Sequence, residues 1–274
     1  MQISIDKTGS EPFQRKRLNR WQILFIVFIA IGITVSEYIF AYRNVADGIV
    51  IALVLTIFIY LMISIFNFDS RITDCSESLA LIPLYILFTA SLPWFFINQQ
   101  YLLPAVYSLI LALCLWHIYQ KQLNLKAIFN FHKGKLLKHA LIGIALGIPM
   151  GTVEYLVLRV APSFPTFEVR YFLRDTVYML VFVGIGEELL FRGLIQTDLM
   201  ASFGVKWGLL GQAFLFAVMH LTWRSVPELG FVFVAALVLG GLYYKTKSLT
   251  ASIVMHGVNN IILVAVAPYL LHLS

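Results

Sequence analysis

Three polar clusters in an otherwise apolar chain have residue types and spacings that could do chemistry. They are Gly186-Glu187-Glu188-Leu189-Leu190-Phe191-Arg192-Gly193, Phe216-Ala217-Val218-Met219-His220 and His256-Gly257-Val258-Asn259-Asn260. On a helix, Glu188 and Arg192 stand four apart, share a face and can pair. Glu187 lies about 100° round the helix from Glu188, so it points elsewhere and is the freer carboxylate. His256 and Asn260 are also four apart. Phe216 sits one turn before His220, where it can pack on the imidazole or set the helix. Glu187, His220, His256 and Asn260 can thus converge from three helices on one polar pocket. A carboxylate, two imidazoles and an amide can activate a water and stabilise a developing oxyanion. That is the chemistry of peptide hydrolysis.

Other chemistries fit these residues less well. There is no His-Glu-x-x-His pair, because Leu221-Thr222-Trp223-Arg224 follows His220. No Gly-x-Ser-Gly element lies in an apolar run. Gly184-Ile185-Gly186-Glu187 is only loosely similar to an aspartyl Gly-x-Gly-Asp element, and no second mid-span aspartate exists. Zinc on His220, His256 and a glutamate remains conceivable, since three N/O ligands make an open site. The blander readings are an interfacial salt bridge for the glutamates and interhelical hydrogen bonds for the histidines. Three such sites in the last four segments weigh against them, because each ionisable group costs insertion energy.

The elements that must position these residues are membrane helices. The chain has 274 residues, 60% hydrophobic and 12% charged, with mean hydropathy +0.85. That is too little polar surface to cover a soluble globule. The apolar runs are continuous and about 20 residues long, the length a helix needs to cross the hydrocarbon core. They do not alternate as barrel strands would. Backbone groups in lipid must be satisfied within the segment, so an all-α polytopic bundle of eight or nine spans is expected. The candidate spans are 21–42, 48–66, 79–97, 101–119, 139–158, 171–191, 207–221, 227–244 and 249–271. Glu37, His117 and Glu154 fall near span ends, within reach of the interface. Cys75 and Cys114 offer no disulfide framework or metal spacing.

The organisation reads as a basic tail (1–20), a four-helix accessory region (21–119), a basic loop (120–138) and a functional bundle (139–274). With nine spans, 15 of the 20 basic residues fall on the side of the N-terminus and of the 120–138 loop. Arg43, Arg159, Arg170, Arg174 and Arg224 fall on the other. This asymmetry puts the N-terminus in the cytoplasm of an inner-membrane protein. The basic surplus, net +6, is accounted for by such loops, so no nucleic-acid partner is expected.

Glu-Glu-x-x-x-Arg, Phe-x-x-x-His and His-x-x-x-Asn, in this order, resemble the three motifs of the CPBP (Abi) family. That family holds type II CAAX prenyl endopeptidases and bacteriocin-processing or self-immunity relatives. The resemblance covers roughly residues 172–265 and implies a glutamic intramembrane endopeptidase without a metal or other cofactor. It implies that Glu187 with His220 activates the water and that His256 and Asn260 form the oxyanion site. Glu188, Arg192 and Phe216 would support the geometry, and the substrate would be a membrane-associated protein or peptide. A non-catalytic immunity or scaffolding protein of the same fold is the alternative. A proton-coupled transporter fits less well, because no internal repeat is present.

One tension follows from the boundaries. A sixth helix ending at Phe191 puts Glu187 near the inner end, while His220 lies near the outer end of a short seventh helix. The two meet if the sixth helix continues through Met200, with Arg192, Gln196 and Asp198 lining a water-filled cavity, or if the seventh is displaced inward. Orientation is open to direct test. Cysteines introduced at Ser10 and Ile128 should be labelled by an impermeant maleimide only after the cytoplasmic face is opened. Labelling of both from outside intact cells would reverse the topology.

Overall fold

The computed structural model describes residues 18–90, 97–131 and 134–271. Most of the basic tail (1–17), the end of the third expected span (91–96) and Lys133 of the basic loop lie outside the described residues. The described residues form helices, with no strand among them. In chain order these are α1 (Arg20–Tyr42), α2 (Val45–Ile65), α3 (Ser70–Ala90), α4 (Leu102–Gln120), a short α5 (Leu125–Phe129) and α6 (Leu136–Leu158). Then come α7 (169–203), α8 (Val205–Val218), α9 (Val226–Thr246) and α10 (Leu249–Leu270). Eight of the described helices are long and apolar enough to cross a membrane. The protein is thus an all-α, multi-pass bundle.

Helix starts follow local capping chemistry. Asn19 and Gln22 form a reciprocal capping box at α1. The Asn44 side chain accepts from the N–H groups of Ala46 and Asp47 at α2. Ser225 and Ser248 accept from the N–H groups of Glu228 and Thr250 at α9 and α10.

Contacts between loops sort the helix ends onto two faces of the bundle. On one, Arg224 donates to the Ala41 carbonyl at 2.9 Å and the Phe164 N–H donates to Tyr269 Oη at 3.3 Å. On the other, Asn130 donates to the Lys247 carbonyl at 2.6 Å and Ser202 to the Arg71 carbonyl at 3.0 Å. The long helix α7 therefore runs from one face to the other, although it is not among the eight helices apolar enough to count as spans. At 1.5 Å per residue it is about 50 Å long.

Two expected boundaries move. The sixth helix does not end at Phe191 but continues to Phe203, where Gly204 breaks it with φ +85°. The segment 192–206 is therefore mostly helix, not loop. The third helix begins at Ser70, nine residues before the expected span, so Asp74 and Glu77 are helical. Hydropathy hides both extensions because their charged and polar side chains find partners on neighbouring helices rather than in water alone. Lys121 pairs with Asp74 and Glu77 at 2.7 and 2.6 Å, and Ser78 bonds Asp198. Arg192 and Gln196 are fully buried and do not line a water-filled cavity. They donate to the carbonyls of Ala236 (3.5 Å) and Gly240 (3.0 Å) on α9.

What positions the polar clusters is close backbone packing around α10. Gly143, Gly147 and Gly151 recur every fourth residue on α6 and face α10. A β-carbon at Gly143 would sit 2.8 Å from the Ala251 carbonyl oxygen, and one at Gly147 2.7 Å from that of Met255. On the opposite flank, a β-carbon at Gly184 of α7 would lie 3.2 Å from the Ile253 carbonyl oxygen and 3.7 Å from the Gly257 nitrogen. Such small-residue stripes let helices approach where no hydrophobic force drives them together in lipid. Gly147→Leu should push α6 off α10 and destabilise the protein by about 1–3 kcal/mol. A lowered thermal midpoint in detergent would show this. An unchanged midpoint would remove the stripe from the account.

Candidate functional site

Two π-helical stretches, Tyr178–Gly184 and Leu189–Gln196, flank the single α-turn Ile185–Glu188 in α7. Such wide turns frequently mark functional positions in helices. Here they present adjacent glutamates to different surroundings. Glu188 has no exposed surface, and neither has Arg192, whose Nη1 donates to Glu188 Oε1 at 2.7 Å. His256 Nδ1 meets the same oxygen at 2.8 Å. A carboxylate oxygen can only accept, so Nδ1 of His256 carries the proton. Glu187 turns the other way, into a cavity of about 260 Å³.

Glu187, His220, His256 and Asn260 all line this cavity, which lies among α4, α6, α7, α8, α9 and α10. Tyr107 Oη donates to Glu187 Oε1 at 2.9 Å. Glu187 Oε2 accepts no hydrogen bond within the protein and lies 3.7 Å from His256 Nε2. His256 therefore reaches both glutamates, one with each ring nitrogen. His220 is held differently. Its helix unwinds at Met219, and Nδ1 lies 2.8 Å from the Phe216 carbonyl oxygen. That oxygen accepts only, so Nδ1 carries the hydrogen and neutral His220 keeps a lone pair on Nε2.

Phe216 is the packing centre of the site. Its ring centroid is 4.8 Å from that of His220 and 5.8 Å from that of His256, edge-on. The Arg192 guanidinium lies 4.5 Å over the same ring. One buried aromatic thus contacts both imidazoles and the cation that neutralises Glu188. The continuation of α7 to Phe203 sets Glu187 near the helix middle, at the depth of the cavity. This removes the mismatch with His220.

Three contributors were not assigned to the site by spacing in the sequence. Tyr107 comes from α4, so the first four spans are not walled off from the site; a tyrosine in the second turn of a span looks like an interfacial anchor. Glu154, set aside as a span-end residue, lines the cavity and accepts from Asn259 Nδ2. Asn259 lines it beside Asn260. The glycine stripe of α6 was legible as Gly-x-x-x-Gly-x-x-x-Gly, and it brings α10 and these asparagines into place. Among the described residues, no three His, Cys, Asp or Glu side chains gather in a metal-binding group. Cys75 and Cys114 are free and buried.

Fold and site together define a class: a polytopic helical membrane protein with a carboxylate- and imidazole-lined cavity inside the bundle. Within it, residues 170–262 match the family model for type II CAAX prenyl endopeptidase Rce1-like proteins, in line with the CPBP motifs. The match runs from the start of α7 into α10 and contains all three motifs. No curated protein and no solved structure matches the chain.

The buried pair gives a stability prediction. Arg192→Met leaves Glu188 without its cation and should cost about 3–5 kcal/mol, read as a loss of thermal midpoint. Adding Glu188→Gln should recover part of it, because no unpaired charge then remains. A double variant as unstable as the single would refute this pairing argument.

Proposed function

We propose that the chain is an intramembrane endopeptidase that hydrolyses a peptide bond of a membrane-associated protein or peptide. The observation that carries this reading is Glu187. One of its oxygens is held by Tyr107; the other accepts no hydrogen bond and lies 3.7 Å from His256 Nε2, and the residue lines a cavity shared with His220, His256 and Asn260. A carboxylate held at one oxygen and free of hydrogen bonds at the other suits a general base.

In the proposed reaction, Glu187 takes a proton from a water, and the water oxygen bonds to the peptide carbonyl carbon. His220, with its Nε2 lone pair, assists in orienting and deprotonating that water. Negative charge develops on the carbonyl oxygen and is met by the Asn260 amide and by His256. For His256 this requires the imidazolium, because Nδ1–H is already given to Glu188. With that proton in place, Glu187, Glu188, Arg192 and His256 sum to zero charge. The proton held by Glu187 then passes to the leaving nitrogen as the C–N bond breaks and the carbonyl re-forms, giving a carboxylic acid and an amine and restoring the Glu187 carboxylate. Glu188 and Arg192 act through His256 by fixing its ring and its protonated nitrogen. Phe216 packs both imidazoles.

The cavity lies toward the face that gathers the ends of α1, α6 and α8, since Leu103, Tyr107, Glu154 and Trp223 line it. By the distribution of Lys and Arg this is the extracytoplasmic face. The proposed substrate enters from that half of the bilayer.

The test uses detergent-purified protein and a library of membrane-anchored peptides, with fragments read by mass spectrometry. Glu187→Gln should fold with an unchanged thermal midpoint and lose at least about 10²-fold in rate. Asn260→Ala should lose roughly 10²–10³-fold. Chelators should leave the activity intact. Activity abolished by a chelator and restored by Zn²⁺ would replace the glutamate-activated water with a metal-bound one. Full cleavage by Glu187→Gln would remove Glu187 as the base.

A further inference from the structure

The same cavity has a second polar cluster, which the proposed reaction does not use. Glu154 of α6 and Asn259 of α10 line it, 7% and 8% exposed, and Glu228 of α9 lies against Glu154 with no exposed surface. Asn259 Nδ2 is the donor here, directed to Glu154 and 3.2 Å from Asn260 Oδ1. The acceptors outnumber it. As a carboxylate Glu228 finds no donor in the protein, its near neighbour being the Glu154 carboxyl, and the Oδ1 of Asn259 is likewise buried without a donor. Among the described residues, no Lys or Arg forms an ion pair with either glutamate.

The local sequence makes the position of Glu228 more telling. Ser225-Val226-Pro227-Glu228 has the spacing of a capping box, in which the glutamate would reach back to the cap N–H. The Ser225 half is made, since its Oγ accepts from the Glu228 N–H at 3.3 Å. The carboxylate half is not, because the side chain turns inward to Glu154. Two carboxyls that meet can share a single proton and so tie α6 to α9. Even then, one negative charge and the unpaired Asn259 oxygen remain beside the cavity. Buried acceptors without donors are costly. A ligand that brings donors and positive charge relieves both deficits.

We propose that Glu154, Glu228 and Asn259 form a substrate subsite for a cationic group, either a Lys or Arg side chain or a free N-terminal ammonium. Asn259 neighbours Asn260 and stands about one helical turn, or 5 Å, from His256 along α10. The cation is therefore bound close to the carbonyl to be attacked, within a residue or two of the scissile bond. The surrounding wall is apolar, with Phe231, Val232, Leu263 and Val264. Such a wall favours a single charged group in an otherwise hydrophobic peptide. This inference rests on the endopeptidase reading and adds the substrate class that the site selects.

The experiment uses three dye-labelled hydrophobic peptides of one sequence in detergent with the full-length protein. One carries Lys and an acetylated N-terminus, one norleucine and a free N-terminus, and one norleucine and an acetylated N-terminus. Binding is read by fluorescence anisotropy and cleavage by mass spectrometry. At least one cationic peptide should bind the wild type roughly tenfold or more tightly than the neutral one, and which one does so identifies the source of the charge. In Glu154→Gln/Glu228→Gln the ratio of charged to neutral affinity should fall to about one. Equal binding of all three by the wild type, which needs no variant to fold, would overturn the subsite. So would a ratio that survives the double substitution. Charge-selective binding with no cleavage of any peptide supports the subsite and instead counts against the endopeptidase reading.

Discussion

A single carboxylate oxygen, Glu188 Oε1, receives both Arg192 and His256, and the site is arranged around it. No part of Glu188 or Arg192 is exposed. In such surroundings a charge persists only when it is paired and hydrogen-bonded. Arg192 can reach Glu188 because it lies four residues on along the same helix. His256 can reach it only because α10 comes very close to α7. The interaction joins two helices, makes Nδ1 of His256 a donor to Glu188, and aims Nε2 at Glu187. The neighbouring carboxylate is left to the cavity.

That close approach depends on glycine, because lipid supplies no hydrophobic force to press helices together. Gly184 and Gly257 meet between α7 and α10, one turn before Glu188 and one residue after His256. Gly143, Gly147 and Gly151 do the same between α6 and α10. The helix bearing His256, Asn259 and Asn260 is thus gripped on two sides by backbone. Its polar side chains are directed into the remaining gap. Carbonyls on α9 accept from Arg192 and Gln196 of α7 and from Gln212 of α8, so these buried donors are met by backbone.

The cavity that results has two unlike ends. One carries a glutamate and imidazoles whose protonated nitrogens are set by neighbours; the other carries acceptors in excess of donors. An apolar wall joins them. The α1–α4 region also enters this arrangement. It supplies Tyr107 to Glu187 and anchors the C-terminal half of α7 through Ser78, which bonds Asp198. The division between the first four spans and the rest is visible in composition, but the packing crosses it.

The membrane class and the positions of most helices were legible in composition and run length, because lipid admits only self-satisfied helices. The Glu188–Arg192 spacing and the separation of Glu187 from it followed from helical geometry alone. Hydropathy placed the ends of α3 and α7 wrongly, because a polar turn paired inside the protein reads the same as a loop in water. Glu154 could not be assigned from its place near a span end, and Tyr107 carried no distinguishing mark. Their relation to Glu187, His256 and Asn259 exists only after six helices pack, and it is long-range in sequence. Spacing along one helix is set by 3.6 residues per turn and needs no partner. Which oxygen of a buried carboxylate is taken, and which is left without a hydrogen bond, depends on the neighbouring helices, so the tertiary structure alone decided it.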